Sequence, residues 1–349
     1  MAVNLATKYE KQFAEAFKPN SFFEGKTNTK YKFDGAKSIE IYSPVTTELV
    51  DYVRGGANRY GEPTEMDTVT QKMELTQDKG FTKTLDRGNH TDQMMAISAG
   101  AWMKEQIKGV VTPTSEKYAV SQWVRNAGKI VTINEKAAKN TIVEALALLP
   151  QALTDGYVPE DGRYLYISAD AFTKVKLSDQ FVSNDTLGVK TIEKGVLGEF
   201  MGAKVVVLPT SFLPENCYAF VARKESILLP RKISSYKTHN NPPGIDGWLM
   251  EGRVYYDAFV LGAAANGVAA LVLAADKQAT PEINASGSSV TITSSGATEI
   301  RYTTDGSDPR YSGSAKVYGG AVTLEGDATV KAVAYGKFTS DVAEEKVTV

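Results

Sequence analysis

Cysteine and histidine are almost missing from this sequence, and their scarcity removes most familiar chemistry. One cysteine, Cys217, stands among 349 residues. No internal disulfide can form, and its setting, ENCYAFVA, reads as a small hydrophobe beside a strand. The two histidines sit apart, His90 in DRGNHTDQ at a helix start and His239 in the loop SYKTHNNPPG. Neither belongs to a His/Cys/Asp cluster with metal-ligand spacing, and there is no HExxH. A Gly-x-Ser-x-Gly elbow, a phosphate loop and a Rossmann glycine fingerprint are also missing. The glycines of RGGANRYGEP lack the Lys-Ser/Thr ending and read as a loop tip. No catalytic residue, metal or cofactor is expected, and the chain is read as a non-enzyme. The formal net charge is −2, so no global basic field points to nucleic acid, although two charged faces can cancel in a sum.

Long apolar runs are scarce too. The N-terminus, MAVNLATKYEKQF, lacks the apolar core and cleavage signal of a secretory leader. Residues 258–275, AFVLGAAANGVAALVLAA, approach the length of a membrane helix. They are dominated by Ala and Gly and broken by Asn266–Gly267, so they read as strand, turn, strand inside a packed core, with no membrane contact.

What is present is an ordinary globular mixture, 42% hydrophobic and 23% charged, long enough for two or three domains. Leu5, Tyr9, Phe13 and Phe17 recur every fourth residue and predict an amphipathic helix stopped by Pro19. AKSIEIYSPV reads as a strand, followed by the polar stretch ELVDYVRGGANRYGEPTEMD. TVTQKMEL and FTKTLDR then read as strands joined by TQDKG. Together these form a long arm whose tip carries Asp51, Arg54 and Arg59, with too few apolar residues for a core of its own. Such an arm is stable only when something packs on it. A helix is predicted from Asn89 as its cap, with Met94, Ile97, Ala101 and Ile107 on one face and Trp102 at its edge. TSEKYAVSQWVRNAG is a second helical run. A third, NEKAAKNTIVEALALLPQAL, has Ile142, Ala145, Leu146 and Leu149 on one side. GRYLYIS, AKVVVLP and CYAFVA read as buried strands, and ADAFTKVKLS as a short helix capped by Ser168 or Asp170. Up to about residue 276 the chain is a mixed α+β body.

Composition then changes. Residues 279–349 hold no His, Cys, Met or Trp, and carry 6 Lys/Arg against 9 Asp/Glu, while the remainder has 33 against 32. SSVTITS, TEIRYTT, GAVTLE, ATVKAVAY and EEKVTV are short strands divided by Asp-Gly, Gly-Gly and Glu-Gly turns. That pattern predicts a small immunoglobulin-like β-sandwich. The stretch RYTTDGSDPRYSGSAKVYGG, with ATVKAVAYGKFTSDV, resembles the C-terminal module of chitobiases and related hexosaminidases. In those enzymes the module is accessory to catalysis. Asp305 and Asp308 are tempting as a catalytic pair, but Asp-Gly and Asp-Pro are turn formers.

In the body, MELTQDKGFTKTLDRGNHTDQMMAISAGAWMKEQI resembles the region after the extended loop of tailed-phage major capsid proteins. GEFMGAKVVVLPTSFLP, AFVARKESILLPRKI and GWLMEGRVYYDAFVLGAAANGVAAL resemble their closing part. The resemblance covers roughly residues 1–276 and implies the coat fold named after phage Hong Kong 97. It implies an N-terminal arm over 1–35, an extended loop over 46–76 and a spine helix with its continuation over 88–126. An axial domain over 130–250 and a peripheral return over 251–276 complete the body, with the sandwich at 279–349 as a separable surface decoration. In such proteins hexamers and pentamers tile an icosahedral shell around double-stranded DNA, and the extended loop lies over a neighbour. Arg54, Arg59, Asp78, Lys79, Asp86 and Arg87 are the candidates for contacts between subunits.

The partners implied are further copies of the chain, a separate scaffolding protein, a portal, and DNA met non-specifically through Lys8, Lys11, Lys18, Lys26, Lys30 and Lys32. The implied location is the virion, assembled in the bacterial cytoplasm. A glycan-binding or glycan-hydrolysing protein is the alternative, resting on the tail alone. A compatible third reading lets Tyr311 and Tyr318 touch surface polysaccharide weakly, with avidity across many copies. On the separable-module reading, a chain truncated near residue 277 still assembles.

Overall fold

The structure is a computed structural model and describes residues 21–33, 36–46, 49–55, 57–63, 65–66, 68–92, 98–134, 141–178 and 198–349. The expected N-terminal helix, Met94 and Ile97 of the next, and Lys8, Lys11 and Lys18 lie outside the described residues.

Numbered along the chain, the body has strands β1 (Ser38–Pro44), β2 (Thr68–Glu74), β3 (Gln77–Asp86), β4 (Lys129–Ile133), β5 (Arg163–Ser168), β6 (Glu199–Phe200), β7 (Ala203–Leu208), β8 (Cys217–Arg223), β9 (Ile227–Leu228), β10 (Arg231–Asn240), β11 (Gly247–Tyr256), β12 (Phe259–Val260) and β13 (Val268–Leu273). Its helices are α1 (Arg87–Asp92), α2 (Ala99–Gln106), α3 (Thr112–Arg125), α4 (Thr141–Asp155) and α5 (Ala169–Lys176). The last stretch holds β14 (Glu282–Ser286), β15 (Ser289–Thr293), β16 (Glu299–Thr303), β17 (Lys316–Val317), β18 (Val322–Thr323), β19 (Ala328–Tyr335) and β20 (Ala343–Val347).

A six-stranded mixed sheet, ordered β4-β13-β8-β5-β7-β6, is the centre of the body. Its strands are apolar on both faces because helices cover both. Side chains alternate between the faces with the period of two that a strand imposes. On one side Tyr166, Phe220, Ala222, Val268, Ala270 and Val272 pack with Ala119, Val120, Trp123 and Val124 of α3. On the other, Leu165, Ile167, Ala219, Val221, Ala269 and Leu271 meet Ile142, Leu146, Leu149 and Leu153 of α4 and Phe172 and Val175 of α5. The apolar run 258–275 forms β12, a 3-10 turn over Gly262–Gly267, and β13. Among the described residues no helix is long and apolar enough to cross a membrane.

The helix boundaries follow local chemistry. Asp86, not Asn89, caps α1: its Oδ1 accepts the Asn89 N–H at 3.1 Å. Ser98 caps α2 by accepting from Ala101 N at 3.2 Å. A π turn over Ile107–Val111 joins α2 to α3. Pro113 stands in the first turn of α3. It has no N–H to donate and crowds the preceding turn, and the wider π geometry accommodates both. For α5 the cap is Ser168, whose Oγ accepts from Ala171 N.

β1 and β2 pair antiparallel from Ser38 with Glu74 to Pro44 with Thr68, and the segment 45–67 is carried at their far end. TQDKG is not a turn between partnered strands. β3 leaves β2 and pairs with β11, which also pairs with β10. Asp257 explains the crossing. Its Oδ2 takes both the backbone N–H and the hydroxyl of Thr76, at 2.8 and 2.7 Å, and so holds the chain between the two sheets.

The last seventy residues fold as two facing sheets, β14-β15-β18 and β17-β16-β19-β20. Val290, Ile292, Tyr302, Leu324, Val330 and Ala332 lie between them.

Candidate assembly surfaces

The far end of the β1–β2 hairpin is the most apolar exposed part of the described chain. Leu49 is fully exposed at 102% and Tyr60 is 85% exposed, with Val50, Tyr52, Val53 and Met66 also open to solvent. A tight turn shapes this tip. Val53 N donates to Arg59 O at 3.1 Å and Gly61 N to Asn58 O at 2.9 Å, and the rings of Tyr52 and Tyr60 meet edge to face at 4.9 Å. Arg54 and Arg59 are exposed on the same turn. An apolar surface on a projecting arm, rimmed by charge, is the signature of a contact with another molecule.

The second surface is the sheet β10-β11-β3. Phe81 stacks near Tyr236, with ring centroids 6.2 Å apart, and meets Trp102 edge-on at 6.0 Å. Gly252 lies beneath these rings. A Cβ there would fall 2.3 Å from the Phe81 ring. An open hollow of about 780 Å³ follows this face, lined by Asp78, Phe81, Thr82, Lys237, Glu251 and Arg253 among others.

Three of the six predicted contact residues, Asp78, Lys79 and Asp86, lie on β3, and Arg87 follows it as the first residue of α1. Asp78 binds Arg253 through two hydrogen bonds of 2.9 and 2.5 Å, and the guanidinium holds the Asp78 carboxyl below its ordinary value. Lys79 faces solvent beside it. Asp86 is used as the α1 cap. Arg87 donates to Asn241 Oδ1 at 2.6 Å, pairs with Asp246 at 3.3 Å and lies over the Trp248 ring. Asp78, Asp86 and Arg87 therefore have partners inside the chain that the sequence did not reveal. Arg54 and Arg59 belong to the separate hairpin tip.

The tail residues are also committed to internal contacts. Asp305 accepts from Ser307 N at 3.0 Å and from Ser314 Oγ at 2.6 Å. Asp308 accepts from Arg310 Nη2 at 2.7 Å, so both carboxylates are held by partners within their own turns. The exposure expected of Tyr311 is not met. It is 8% exposed, and its hydroxyl donates to Asn126 O of the body at 2.7 Å, which leaves no ring face for a sugar. Tyr318 packs against the sandwich core, and its hydroxyl accepts from Ile292 N at 3.1 Å. Cys217 is buried, and burial pushes its thiol far above the ordinary range. Among the described residues no group of three or more His, Cys, Asp or Glu side chains is placed to hold a metal.

The described body superposes on solved phage structures over most of its length. A chain from Mycobacterium phage Che8 superposes with a TM-score of 0.66 at 16% identity, over 77% of this chain and 98% of that one. The capsid structure of Cyanophage P-SCSP1u gives 0.64 at 12% identity, over 78% and 93%. The mature capsid of bacteriophage PhiM1 gives 0.62 at 12% identity, over 77% and 92%.

The body has the phage capsid fold.

A sequence-family profile described as Fn3 associated matches residues 290–347, in keeping with the immunoglobulin-like sandwich found there. No curated protein sequence matches the chain. Within the capsid fold, the hairpin tip carries a run of exposed apolar side chains, and the β10-β11-β3 sheet carries half-buried aromatic rings beside an open hollow.

Proposed function

We propose that the chain is a major capsid protein that assembles with copies of itself, as hexamers and pentamers, into an icosahedral head around double-stranded DNA. The observation that carries this reading is the hairpin tip, where Leu49, Tyr60 and Met66 are held out in solvent on an arm with the capsid fold beneath it. Burying such groups on a neighbour contributes roughly 1.5–3 kcal/mol per large side chain, repeated at every contact of a shell. Arg54, Arg59 and Lys79 are the charges we assign to contacts between subunits. Asp78, Asp86 and Arg87 shape the sheet that such a contact would use.

The role is structural rather than catalytic. Its place is the virion, after assembly in the bacterial cytoplasm with a separate scaffolding protein and a portal. Lys30 and Lys32 are exposed near the start of the described chain and suit non-specific phosphate contact. Lys26 donates to Phe22 O at 2.7 Å, so part of its capacity is already used. The immunoglobulin-like domain is carried on the particle surface. A glycan role has little support once Tyr311 and Tyr318 are committed to packing.

The test is the double variant Leu49→Asp, Tyr60→Ser, expressed with the head-assembly proteins of its phage. Sedimentation is expected to shift from fast particles to free subunits, with the circular dichroism spectrum unchanged. Normal particles from this variant would overturn the assignment of the tip as an assembly contact.

A further inference from the structure

The C-terminal end of α3 shows an unusual division of labour. The last carbonyls of a helix have no donors within the helix and must find them elsewhere. Here Gln122 O and Val124 O take the N–H groups of Asn126 and Ala127. The next four carbonyls in sequence all take donors from the C-terminal domain. Arg125 O accepts from Thr339 Oγ1 at 2.5 Å. Asn126 O accepts from Tyr311 OH at 2.7 Å. Ala127 O and Gly128 O accept from Arg310 Nη1, at 2.8 and 3.1 Å. Arg310 is nearly enclosed, with 10% of its side chain exposed. Asp308 orients it, and it brings a positive charge to the negative end of the helix dipole. In the reverse direction, Arg125 lies over the ring of Tyr335, 4.8 Å from its centroid.

The same loop also reaches the foot of the hairpin. Gly313 N donates to Thr70 O of β2 at 2.7 Å. A Cβ at residue 313 would sit 3.1 Å from that oxygen, so glycine permits the approach. Tyr311 packs on Gly262, where a Cβ would fall 2.7 Å from the Tyr311 Cβ. The neighbouring Gly262 N is fixed by Gln71 Oε1 of β2 at 2.8 Å. Tyr311 and Phe338 are both members of the apolar cluster that holds Trp123, Phe220 and Val268. Two of that core's side chains therefore come from beyond the domain boundary.

We infer that the C-terminal domain is a built-in clamp, which caps α3 and pins the foot of the β1–β2 hairpin to it, so that body and domain unfold as one unit. Its role is to set the angle at which the hairpin leaves the body. On this inference a chain cut near 277 would leave four adjacent carbonyls without these donors and two gaps in the core, where the sequence alone suggested a separable module.

Hydrogen exchange on the full chain, with the double variant Arg310→Met, Thr339→Val, tests the clamp. Exchange should rise at least fivefold at the end of α3 (residues 122–128) and in β2, although the substitutions lie some two hundred residues away. Strands β16 and β19 inside the domain should keep their protection. The wild-type chain should melt in one transition. Should the double variant fail to fold, Tyr311→Phe keeps the ring and removes one donor, and a smaller rise is expected in the same two segments. Two separate wild-type transitions, or faster exchange confined to the domain, would overturn the inference.

Discussion

Tyr311 donates its phenolic hydrogen to the carbonyl of Asn126 across 185 positions of chain, at 2.7 Å. One residue of the terminal sandwich thereby completes both a helix end and the core beneath it. Its two contributions can be separated. Tyr311→Phe removes the donor alone and is expected to cost about 1–3 kcal/mol, the penalty for a buried acceptor left unpaired. Tyr311→Ala also opens a cavity and should cost about 3–5 kcal/mol, as for other buried aromatic deletions. Guanidinium unfolding followed by fluorescence measures both, and equal losses would mean that the ring contributes nothing.

Gly128 gives a steric prediction at the same joint. A Cβ on it would lie 2.1 Å from Ala265 O and 2.5 Å from its carbonyl carbon, backbone atoms that cannot rotate aside. Gly128→Ala should destabilise by about 1–3 kcal/mol or more. Gly100 in α2 has nothing within 4 Å of the same construction, so Gly100→Ala should stabilise by about 0.5–1 kcal/mol through helix propensity. Thermal melting of the two variants should shift in opposite directions.

The pH response has two opposed parts. Asp78 and Asp276 are held below their ordinary values, Asp78 by its hydrogen bond with Arg253 and Asp276 by those with Lys337 and Asn216. A depressed carboxyl stabilises the fold fully above its unfolded value, near pH 4. That stabilisation is lost as pH falls through the lower folded value. Acid should therefore loosen the β3–β11 pair and the linker at 276, and Asp78→Asn should remove the first of these losses.

Glu116 behaves in the opposite sense. Burial pushes its carboxyl up despite hydrogen bonds from Ser21 and from the Phe22 backbone. The folded chain then holds the proton more tightly than the unfolded one, so the stability this group contributes is fully present below its ordinary carboxyl value and is lost as pH rises through the higher folded value. Stability measured between pH 4 and 7 should vary less with pH in Glu116→Gln than in the wild type. An unchanged profile would show that Glu116 is not the source.

Much of the fold was legible because its signals are local. The alternation in YLYIS and CYAFVA, the face formed by Ile142, Ala145, Leu146 and Leu149, and the turn-rich tail each declare an element without help from the rest of the chain. The projecting hairpin was legible for a related reason, since a polar stretch with glycines has no core of its own to fold into. The joints were not legible. Asp257 holding Thr76, Arg253 pairing with Asp78, and Arg310 reaching Ala127 and Gly128 join residues 175 or more positions apart. No periodicity marks them. Phe338, a large apolar residue in the polar turn YGKFTSDV, was the one visible hint that the sandwich has a buried outer side. The aspartates of TTDGSDPRYSG were rightly read as turn formers, but the arginine and tyrosine that follow carry the structural consequence.

The central claim, that this chain builds a shell, is tested most directly by expressing it, alone and with the other head-assembly proteins, and examining the product by sedimentation and electron microscopy. The account predicts capsomers and closed particles far heavier than the 37.8 kDa chain. A compact monomer at every concentration tried would contradict it.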